Sequence, residues 1–306
     1  MIVVVCPGQG SQTPGFLAPW LAEPSFAERL AALSDAAGVD LALHGTESDA
    51  ETIRDTAIAQ PLIVAAGILA FGALVSGGRA QGLGGVAGHS VGEITAAAAT
   101  GVLGDADAMR FVSARGRAMA DAAALAPTGM SAVIGADEAE LLGRLESLGL
   151  EPANFNGGGQ VVVAGALDAL EQLKAEPPAG ARVIPLQVAG AFHTRYMQPA
   201  RERLADVAAS LDVSDPGITL WTNRDGSQVA SGSAFVDLLV GQVASPVRWD
   251  RCMDSFAAAG ITGLIELAPA GALVGLAKRA LKGVPTVAVK TPDDLPAAIE
   301  LFDQAA

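Results

Sequence analysis

Residues 86–92 read VAGHSVG, and this stretch decides the fold of the chain. The apolar pair before the glycine indicates a short strand, and residues 91–100 indicate a helix that ends at Gly101. Between them, Gly-x-Ser-x-Gly centred on Ser90 is typical of a sharp strand-to-helix turn that exposes a nucleophile. The stretch therefore predicts an α/β fold with a catalytic Ser90. The alternative is an ordinary glycine-rich turn in which Ser90 caps the helix.

The segments on either side of this turn predict a mainly parallel sheet. Ile2–Cys6 is a continuous apolar run, as expected for a strand that is buried on both faces. Strands and helices alternate again after residue 190, which favours helices on both faces of the sheet. The middle of the chain has the order βαββαβ of a ferredoxin-like module. We predict an α/β core at 1–124 and 190–306, with a ferredoxin-like α+β insertion at 125–189.

The composition limits the classes of function. Hydrophobic residues make up 51% of 306 residues, which argues against disorder, and the net charge of −14 gives no reason to expect nucleic-acid binding. Cys6 and Cys252 lack metal-ligand spacing, so we predict no metal site and a reducing compartment. The first strand does not resemble a signal peptide, and the apolar stretch 62–75 is too short and glycine-interrupted for a membrane span. We expect a cytoplasmic protein.

Three histidines are available as a base for Ser90. His89 adjoins Ser90, and neighbouring side chains diverge in a tight turn, whereas His44 lies in a polar stretch that is typical of a surface. His193 follows the predicted strand 182–188, at the kind of strand end where open α/β sheets bind ligands. We therefore prefer His193 as the base over a structural histidine. No Asp or Glu stands out as a third member, which predicts that a neutral acceptor such as a backbone carbonyl orients the imidazole.

Arg115 lies in an apolar row on its predicted helix. Phe111, Arg115 and Met119 are spaced by four and share a face, whereas Arg110 and Arg117 fall on a polar face. A guanidinium among apolar side chains needs a partner. A substrate carboxylate is one candidate, because the planar fork holds it by two bonds. An internal ion pair with an Asp or Glu is the alternative.

Six motifs in order along the chain suggest a family. They are residues 7–12 (PGQGSQ), 88–93 (GHSVGE), 115–119 (RGRAM), 156–160 (NGGGQ), 190–193 (GAFH) and 241–249 (GQVASPVRW). Together they resemble the malonyl-CoA:acyl carrier protein transacylases and the acyltransferase domains of polyketide synthases, over essentially the whole chain. The resemblance implies an α/β-hydrolase-like core with a ferredoxin-like insertion.

The resemblance also implies the reaction. A malonyl group would pass from malonyl-CoA to the phosphopantetheine thiol of acyl carrier protein, in ping-pong order, for fatty-acid or polyketide synthesis or both. Ser90 would carry the acyl group as an ester, His193 would be the base, and Arg115 would bind the malonyl carboxylate. No metal or redox cofactor would be required.

Backbone groups and acyl specificity are assigned by the same resemblance. The N–H groups of Gln9 and Val91 would form an oxyanion hole, and the main-chain oxygen of Gln242 would hold the base. Phe192 stands where the methylmalonyl type carries a serine and should disfavour a branched acyl group, by about 1–3 kcal/mol. Val91, rather than a glutamine, also fits the malonyl type. Residues 268–271 (APAG) depart from the family by having alanine where glycine is frequent.

Docking of an acidic carrier protein to this acidic chain requires a local basic patch. Candidates are Arg182 and the cluster Lys278, Arg279 and Lys282, although a solvated helix end is the alternative for the cluster. We expect no nucleic-acid or membrane partner and a monomer.

Four other functions compete with this prediction. They are a thioesterase or serine hydrolase with the same turn, a discrete polyketide acyltransferase of other acyl specificity, a nucleotide-binding enzyme and a carrier-binding module without activity. The missing triad acid and Arg115 count against the hydrolase. Thr13 stands where a nucleotide-binding loop needs its third glycine.

Overall fold

Two β-sheets organise the chain, whose computed structural model describes residues 1–304. The strands are β1 (Ile2–Cys6), β2 (Leu83–Gly88), β3 (Thr128–Ile134), β4 (Glu151–Gly157), β5 (Gln160–Ala166), β6 (Arg182–Pro185), β7 (Leu220–Trp221), β8 (Val247–Arg248), β9 (Gly263–Glu266) and β10 (Thr286–Ala288). The helices are α1 (Ala18–Leu21), α2 (Pro24–Ala37), α3 (Leu41–Thr46), α4 (Thr56–Leu74), α5 (Gly92–Thr100), α6 (Asp105–Ala123), α7 (Glu138–Leu148), α8 (Leu167–Ala175), α9 (Gln198–Ala208), α10 (Gly232–Gln242), α11 (Trp249–Ala258), α12 (Ala272–Ala280) and α13 (Leu295–Asp303).

The first sheet has the order β10-β9-β1-β2-β7, and every strand pair in it is parallel. Its middle strand β1 is buried on both faces, because Val4 and Cys6 join one apolar cluster whereas Val3 and Val5 join another. This explains the unbroken apolar run, since neither face of the strand meets water. The predicted mainly parallel sheet is confirmed.

The second sheet has the order β6-β3-β5-β4-β8. Strands β3 to β6, with α7 and α8 between them, follow the predicted βαββαβ order, and α7 and α8 pack against one face. The other face carries Met130, Ala132 and Val162 into the main core. The fold class is thereby confirmed. The short strand β8, from later in the chain, pairs in parallel with β4, and the boundaries 1–124, 125–189 and 190–306 stay a prediction.

Helix α4 contains most of the apolar stretch that the sequence suggested was too short for a membrane span. That argument was wrong, because α4 has 19 residues and a mean hydropathy of 2.0 in its most apolar part, enough by length and composition to cross a membrane. Burial decides the matter instead: 72% of that part lies inside the protein, where α4 packs against α2, α5 and α6. Helix α4 is the central core helix of this fold.

Candidate active site

Ser90 lies in the turn between β2 and α5, and its backbone is left-handed, with a φ of 53°. A hydrogen bond from the Gly92 amide to the His89 carbonyl, at 3.0 Å, closes the turn, and one from the His89 amide to the Cys6 carbonyl, at 2.9 Å, joins it to β1. Both flanking glycines are required. A Cβ on Gly88 would lie 2.1 Å from the backbone of Gly92, and a Cβ on Gly92 would lie 2.1 Å from the Cys6 oxygen. The sequence motif therefore forms a strained, close-packed turn that presents Ser90.

His193 reaches Ser90 from 103 residues further along the chain. Its Nε2 lies 2.7 Å from the Ser90 Oγ, and its Nδ1 lies 2.9 Å from the main-chain oxygen of Gln242. A carbonyl only accepts, so Nδ1 carries the proton and donates to Gln242, which leaves Nε2 to accept the Ser90 hydroxyl proton. The neutral acceptor that the sequence predicted is present at this position.

The protonation of His193 follows from its surroundings. Burial, and after it the positive charge of Arg115, together lower the pKa of His193 to about 3. The imidazole is therefore neutral near pH 7, which is the form that accepts a proton. His89 is a different case, because its Nε2 lies 3.0 Å from the Asn156 Oδ1, away from the Ser90 hydroxyl.

Arg115 lies directly behind the nucleophile and is 1% exposed. Its Nη2 lies 3.4 Å from the Ser90 Oγ and 2.7 Å from the Gln242 Oε1, and its Nη1 donates to the Gln60 Oε1 at 2.7 Å. Within residues 1–304, no Asp or Glu lies at ion-pair distance from the guanidinium, so the internal salt bridge that we considered is not found. Burial lowers the pKa of Arg115 to about 9, which leaves it charged near pH 7.

Two polar residues of this site were missed at the sequence level. Gln60 is buried in the apolar helix α4, and Glu93 is 0% exposed in the first turn of α5. Gln60 is a polar residue in an otherwise apolar segment, and Glu93 is the last residue of the motif 88–93, but neither residue was given a role. Burial raises the pKa of Glu93 to about 7, and hydrogen bonds from Asn223, Thr222 and Gln242 oppose that shift.

The amides of Gln9 and Val91 are available to an incoming oxyanion. Both residues line the cavity above Ser90, and neither backbone N–H donates a hydrogen bond to another group within the described 304 residues. Val91 precedes α5, so its amide belongs to the positive end of that helix. The two N–H groups suit a negative charge that develops beside the serine oxygen.

A cavity of about 410 Å³ opens above Ser90 and His193, between the two sheets. The second sheet contributes Met130 and Val162 to its wall, and α12 contributes Leu273 and Leu276. The floor also includes Phe192, which is 6% exposed. A thin, largely apolar chain with a reactive end fits such a space.

The four basic docking candidates lie in different places. Arg279, in the last turn of α12, lines the cavity and approaches Gly158 of the β4–β5 turn. Lys278 and Lys282 are exposed beside it and do not line the cavity, and Arg182 is exposed on the edge strand β6. The structure thus brings one of the four to the opening of the site.

Comparisons with known proteins agree with this geometry. The acyl transferase domain family matches residues 3–293. The chain is 53% identical over 299 residues to the malonyl CoA-acyl carrier protein transacylase of Mycobacterium tuberculosis (strain ATCC 25618 / H37Rv), covering 96% of this chain and 98% of the relative. It is 36% identical over 305 residues to the protein of that name from Escherichia coli (strain K12), covering 97% and 98%.

Solved structures give the same picture. The crystal structure of MCAT from Mycobacterium tuberculosis has a TM-score of 0.95 and 52% identity, and covers 98% of this chain and 99% of that chain. A type II PKS acyl-carrier protein in complex with its malonyl-transacylase gives a TM-score of 0.90 and 32% identity, with coverage of 98% and 99%.

Proposed function

Because the chain belongs to the acyl transferase domain family, we propose that it transfers a malonyl group from malonyl-CoA to the phosphopantetheine thiol of acyl carrier protein. One observation carries the proposal. The Ser90 Oγ lies 2.7 Å from a neutral base, His193, and 3.4 Å from a buried cation, Arg115. A serine nucleophile with a cation beside it suits an acyl group that ends in a carboxylate.

In the first half-reaction Ser90 attacks the thioester carbonyl of malonyl-CoA. The Nε2 of His193 accepts the serine proton, because Nδ1 keeps its own proton in the bond to the Gln242 carbonyl. The substrate oxygen becomes negative next to the amides of Gln9 and Val91, which stabilise it. The carbon–sulfur bond then breaks, His193 gives its proton to the departing coenzyme A thiolate, and the malonyl group stays on Ser90 as an ester.

In the second half-reaction the carrier protein's phosphopantetheine thiol attacks the malonyl ester. His193 removes the thiol proton and returns it to the Ser90 oxygen as the ester bond breaks. Coenzyme A and the carrier arm use the same opening, so one must leave before the other enters. The reaction therefore follows ping-pong kinetics and needs no cofactor.

Arg115 links the choice of acyl group to the chemistry. A carboxylate on the acyl group that Ser90 accepts comes within reach of the Arg115 Nη2, which forms charge-assisted hydrogen bonds with it. The same carboxylate neutralises a charge that lowers the pKa of His193. A dicarboxylic acyl group thus strengthens the base that activates the nucleophile, whereas an acetyl group does not.

The cavity floor restricts the acyl group further. Phe192 and Val91 are both buried and line the cavity, so we expect them to exclude a branch at the α-carbon. One methyl group changes the barrier by about 1–3 kcal/mol, so malonyl is preferred and methylmalonyl is a slow substrate. The same reaction serves fatty-acid synthesis and polyketide synthesis, and a polyketide acyltransferase of other acyl specificity is the alternative.

The protein is proposed to act as a cytoplasmic monomer with acyl carrier protein as its partner. One chain supplies the nucleophile, the base and the buried cation, so the site needs no second copy. Arg279 at the cavity opening is the first docking contact that we propose for the acidic carrier, with Arg182, Lys278 and Lys282 around it. Neither a membrane nor a nucleic acid is involved.

Intact-mass measurement after mixing with malonyl-CoA tests the function. The wild-type protein should gain one malonyl group, and added phosphopantetheinylated carrier protein should remove it and become malonylated. Ser90→Ala should gain none, whereas Ser210→Ala, an exposed serine on the surface, should behave as wild type. Release of the malonyl group to water faster than to the carrier thiol would instead identify a hydrolase.

A further inference from the structure

Glu93 is a buried carboxylate that the proposed reaction does not use. It is 0% exposed and lies three residues after Ser90, in the first turn of α5. Its Oε1 accepts hydrogen bonds from the Thr222 hydroxyl at 2.9 Å and from the Asn223 amide at 2.6 Å, and its Oε2 accepts from the Gln242 Nε2. A carboxyl group at this depth requires partners of this kind.

All three partners of Glu93 are donors. The Thr222 hydroxyl donates its proton to Glu93, and the Asn223 backbone N–H and the Gln242 side-chain N–H₂ can only donate. Three donors converging on one carboxyl group favour its ionised form, and the charge of Arg115 acts in the same direction, against the burial that raises the pKa of Glu93. The site therefore holds a buried anion that has no cation at ion-pair distance within residues 1–304.

The Gln242 side chain connects this anion to Arg115. Its Nε2 donates to Glu93 and, at 3.1 Å, to the Ser90 carbonyl, while its Oε1 accepts from the Arg115 Nη2 at 2.7 Å. The amide has only one orientation that satisfies both neighbours, since the nitrogen must face the carboxylate and the oxygen must face the guanidinium. Glu93 thus fixes which end of Gln242 meets Arg115.

The distance between the Glu93 carboxylate and the Arg115 guanidinium matters for binding of the acyl carboxylate. A carboxylate in direct contact with the guanidinium would occupy the planar fork that an acyl carboxylate needs. With Gln60 and Gln242 as its contacts, Arg115 instead meets only neutral oxygens of other side chains. The compensating negative charge lies one amide further away, where it still favours the charged guanidinium.

We propose that Glu93 is a positioning residue that balances Arg115 through the side-chain amide of Gln242 and thereby keeps the Arg115 fork free for the acyl carboxylate. The inference rests on the proposed malonyl transfer. In this proposal the Glu93 carboxylate acts on Arg115, and Arg115 in turn selects the acyl group. The base is held separately, because His193 bonds to the main-chain oxygen of Gln242.

Glu93→Gln tests the proposal with almost no change in shape. The new amide must keep its oxygen towards Thr222 and Asn223, so its N–H₂ group faces Gln242. Gln242 then turns its amide over and presents N–H₂ to Arg115, donor against donor, which displaces the guanidinium. Malonyl binding should suffer, whereas the nucleophile and its base should not.

The readout is the ratio of Ser90 acylation by malonyl-CoA to acylation by acetyl-CoA, measured by intact mass. We expect this ratio to fall at least about tenfold, the loss of one charge-assisted hydrogen bond. Labelling of Ser90 by a fluorophosphonate, which carries no carboxylate, should stay within roughly threefold of wild type because the base is held by a main-chain atom. Equal losses in all three rates would reveal a structural role and overturn the proposal, as would an unchanged ratio.

Two further variants sharpen the test. Glu266→Gln is the matched control: Glu266 is also 0% exposed, and it caps the amides of Leu273 and Val274 without touching Gln242. It should lower stability and leave the acylation ratio unchanged. The double variant Glu93→Gln with Gln242→Glu restores complementary hydrogen bonds and the charge but places the carboxylate directly on Arg115. It should fold and still discriminate poorly, so recovery of the malonyl preference would overturn the proposal.

A binding measurement separates this inference from the proposed function. Free malonate should protect Ser90 of the wild-type protein from the fluorophosphonate, and protection of the Glu93→Gln variant should need roughly tenfold more malonate. If the variant needs more malonate than the wild-type protein but the wild-type protein transfers no malonyl group, the proposed function fails and the role of Glu93 in carboxylate binding stands. If malonate protects both proteins equally, the role of Glu93 fails whatever the transfer assay shows.

Discussion

Replacing Arg115 by methionine should lower malonyl transfer and leave acetyl transfer undiminished. Methionine has an unbranched chain of similar length, so Arg115→Met fills the buried slot while removing every guanidinium donor. Two charge-assisted hydrogen bonds to the acyl carboxylate disappear, each worth about 1.5–3 kcal/mol. The lower end of that range sums to about 3 kcal/mol, a factor of roughly 100 in malonyl transfer at 1.4 kcal/mol per decade.

Acetyl transfer should respond in the opposite direction. The Arg115 charge is one of the causes that lower the pKa of His193, so its removal makes His193 a stronger base towards a substrate without a carboxylate. We expect acetyl transfer by Arg115→Met to equal or exceed that of wild type. Single-turnover acylation of Ser90 by each coenzyme A ester, followed by intact mass, measures both rates.

Stability and specificity need a control in this experiment. Arg115→Met leaves the Gln60 and Gln242 oxygens without their donor, so some loss of thermal stability is expected. Arg117→Met makes the same chemical change two residues away on the exposed face of α6 and should leave both acylation rates unaltered. Equal losses of malonyl and acetyl transfer in Arg115→Met would refute the carboxylate-binding role, because an acetyl group has no carboxylate for the guanidinium to bind.

Three other predictions concern the floor, the base and one strained turn. Phe192→Ser should raise methylmalonyl transfer relative to malonyl transfer about tenfold in a competition assay, since a buried ring is replaced by space for a branch; an unchanged ratio would place the branch elsewhere. The pKa of His193 is lowered to about 3, so the neutral imidazole persists above that pH and is lost only below it. Fluorophosphonate labelling of Ser90 should therefore stay level from pH 8 to about 5. A decline centred near the usual histidine pKa of about 6.5 would contradict this. Ala270 has a φ of 46°, where glycine is unstrained, so Ala270→Gly should increase the free energy of unfolding in urea by roughly 1 kcal/mol, and a loss of stability would show that its methyl group packs productively.

Much of the fold could be predicted because its signals are local. The turn at Ser90 is specified within five residues, since two glycines remove side chains that would collide with neighbouring backbone. The strand Ile2–Cys6 contains no polar residue, which indicates that both of its faces are buried. The apolar stretch in α4 was harder, because composition cannot distinguish a helix that is buried by protein from one that is buried by lipid. Only tertiary packing resolves that question.

Some residues of the candidate site could be identified from the sequence and others could not. His193 could be named because the chain has three histidines and two had poor positions, and the structure places its Nε2 beside Ser90. Gln60 and Glu93 could not be named, since nothing in their own segments says that Gln60 will meet Arg115 from 55 residues away. Such contacts depend on how α4, α5 and α6 pack together, and sequence periodicity reports only which face of each helix is apolar.

The sequence shows no acid for His193 for a physical reason. In a Ser-acid-His hydrolase a carboxylate orients the histidine, whereas here the main-chain oxygen of Gln242 occupies that position. The acid of this site, Glu93, lies on the other side of the same residue and faces its side-chain amide. Separating the two tasks lets the base stay neutral against a neutral carbonyl while the negative charge compensates Arg115. In a hydrolase whose acid bonds to the histidine, the carboxylate orients the base. In this chain the Glu93 carboxylate instead influences which acyl group binds, through Arg115.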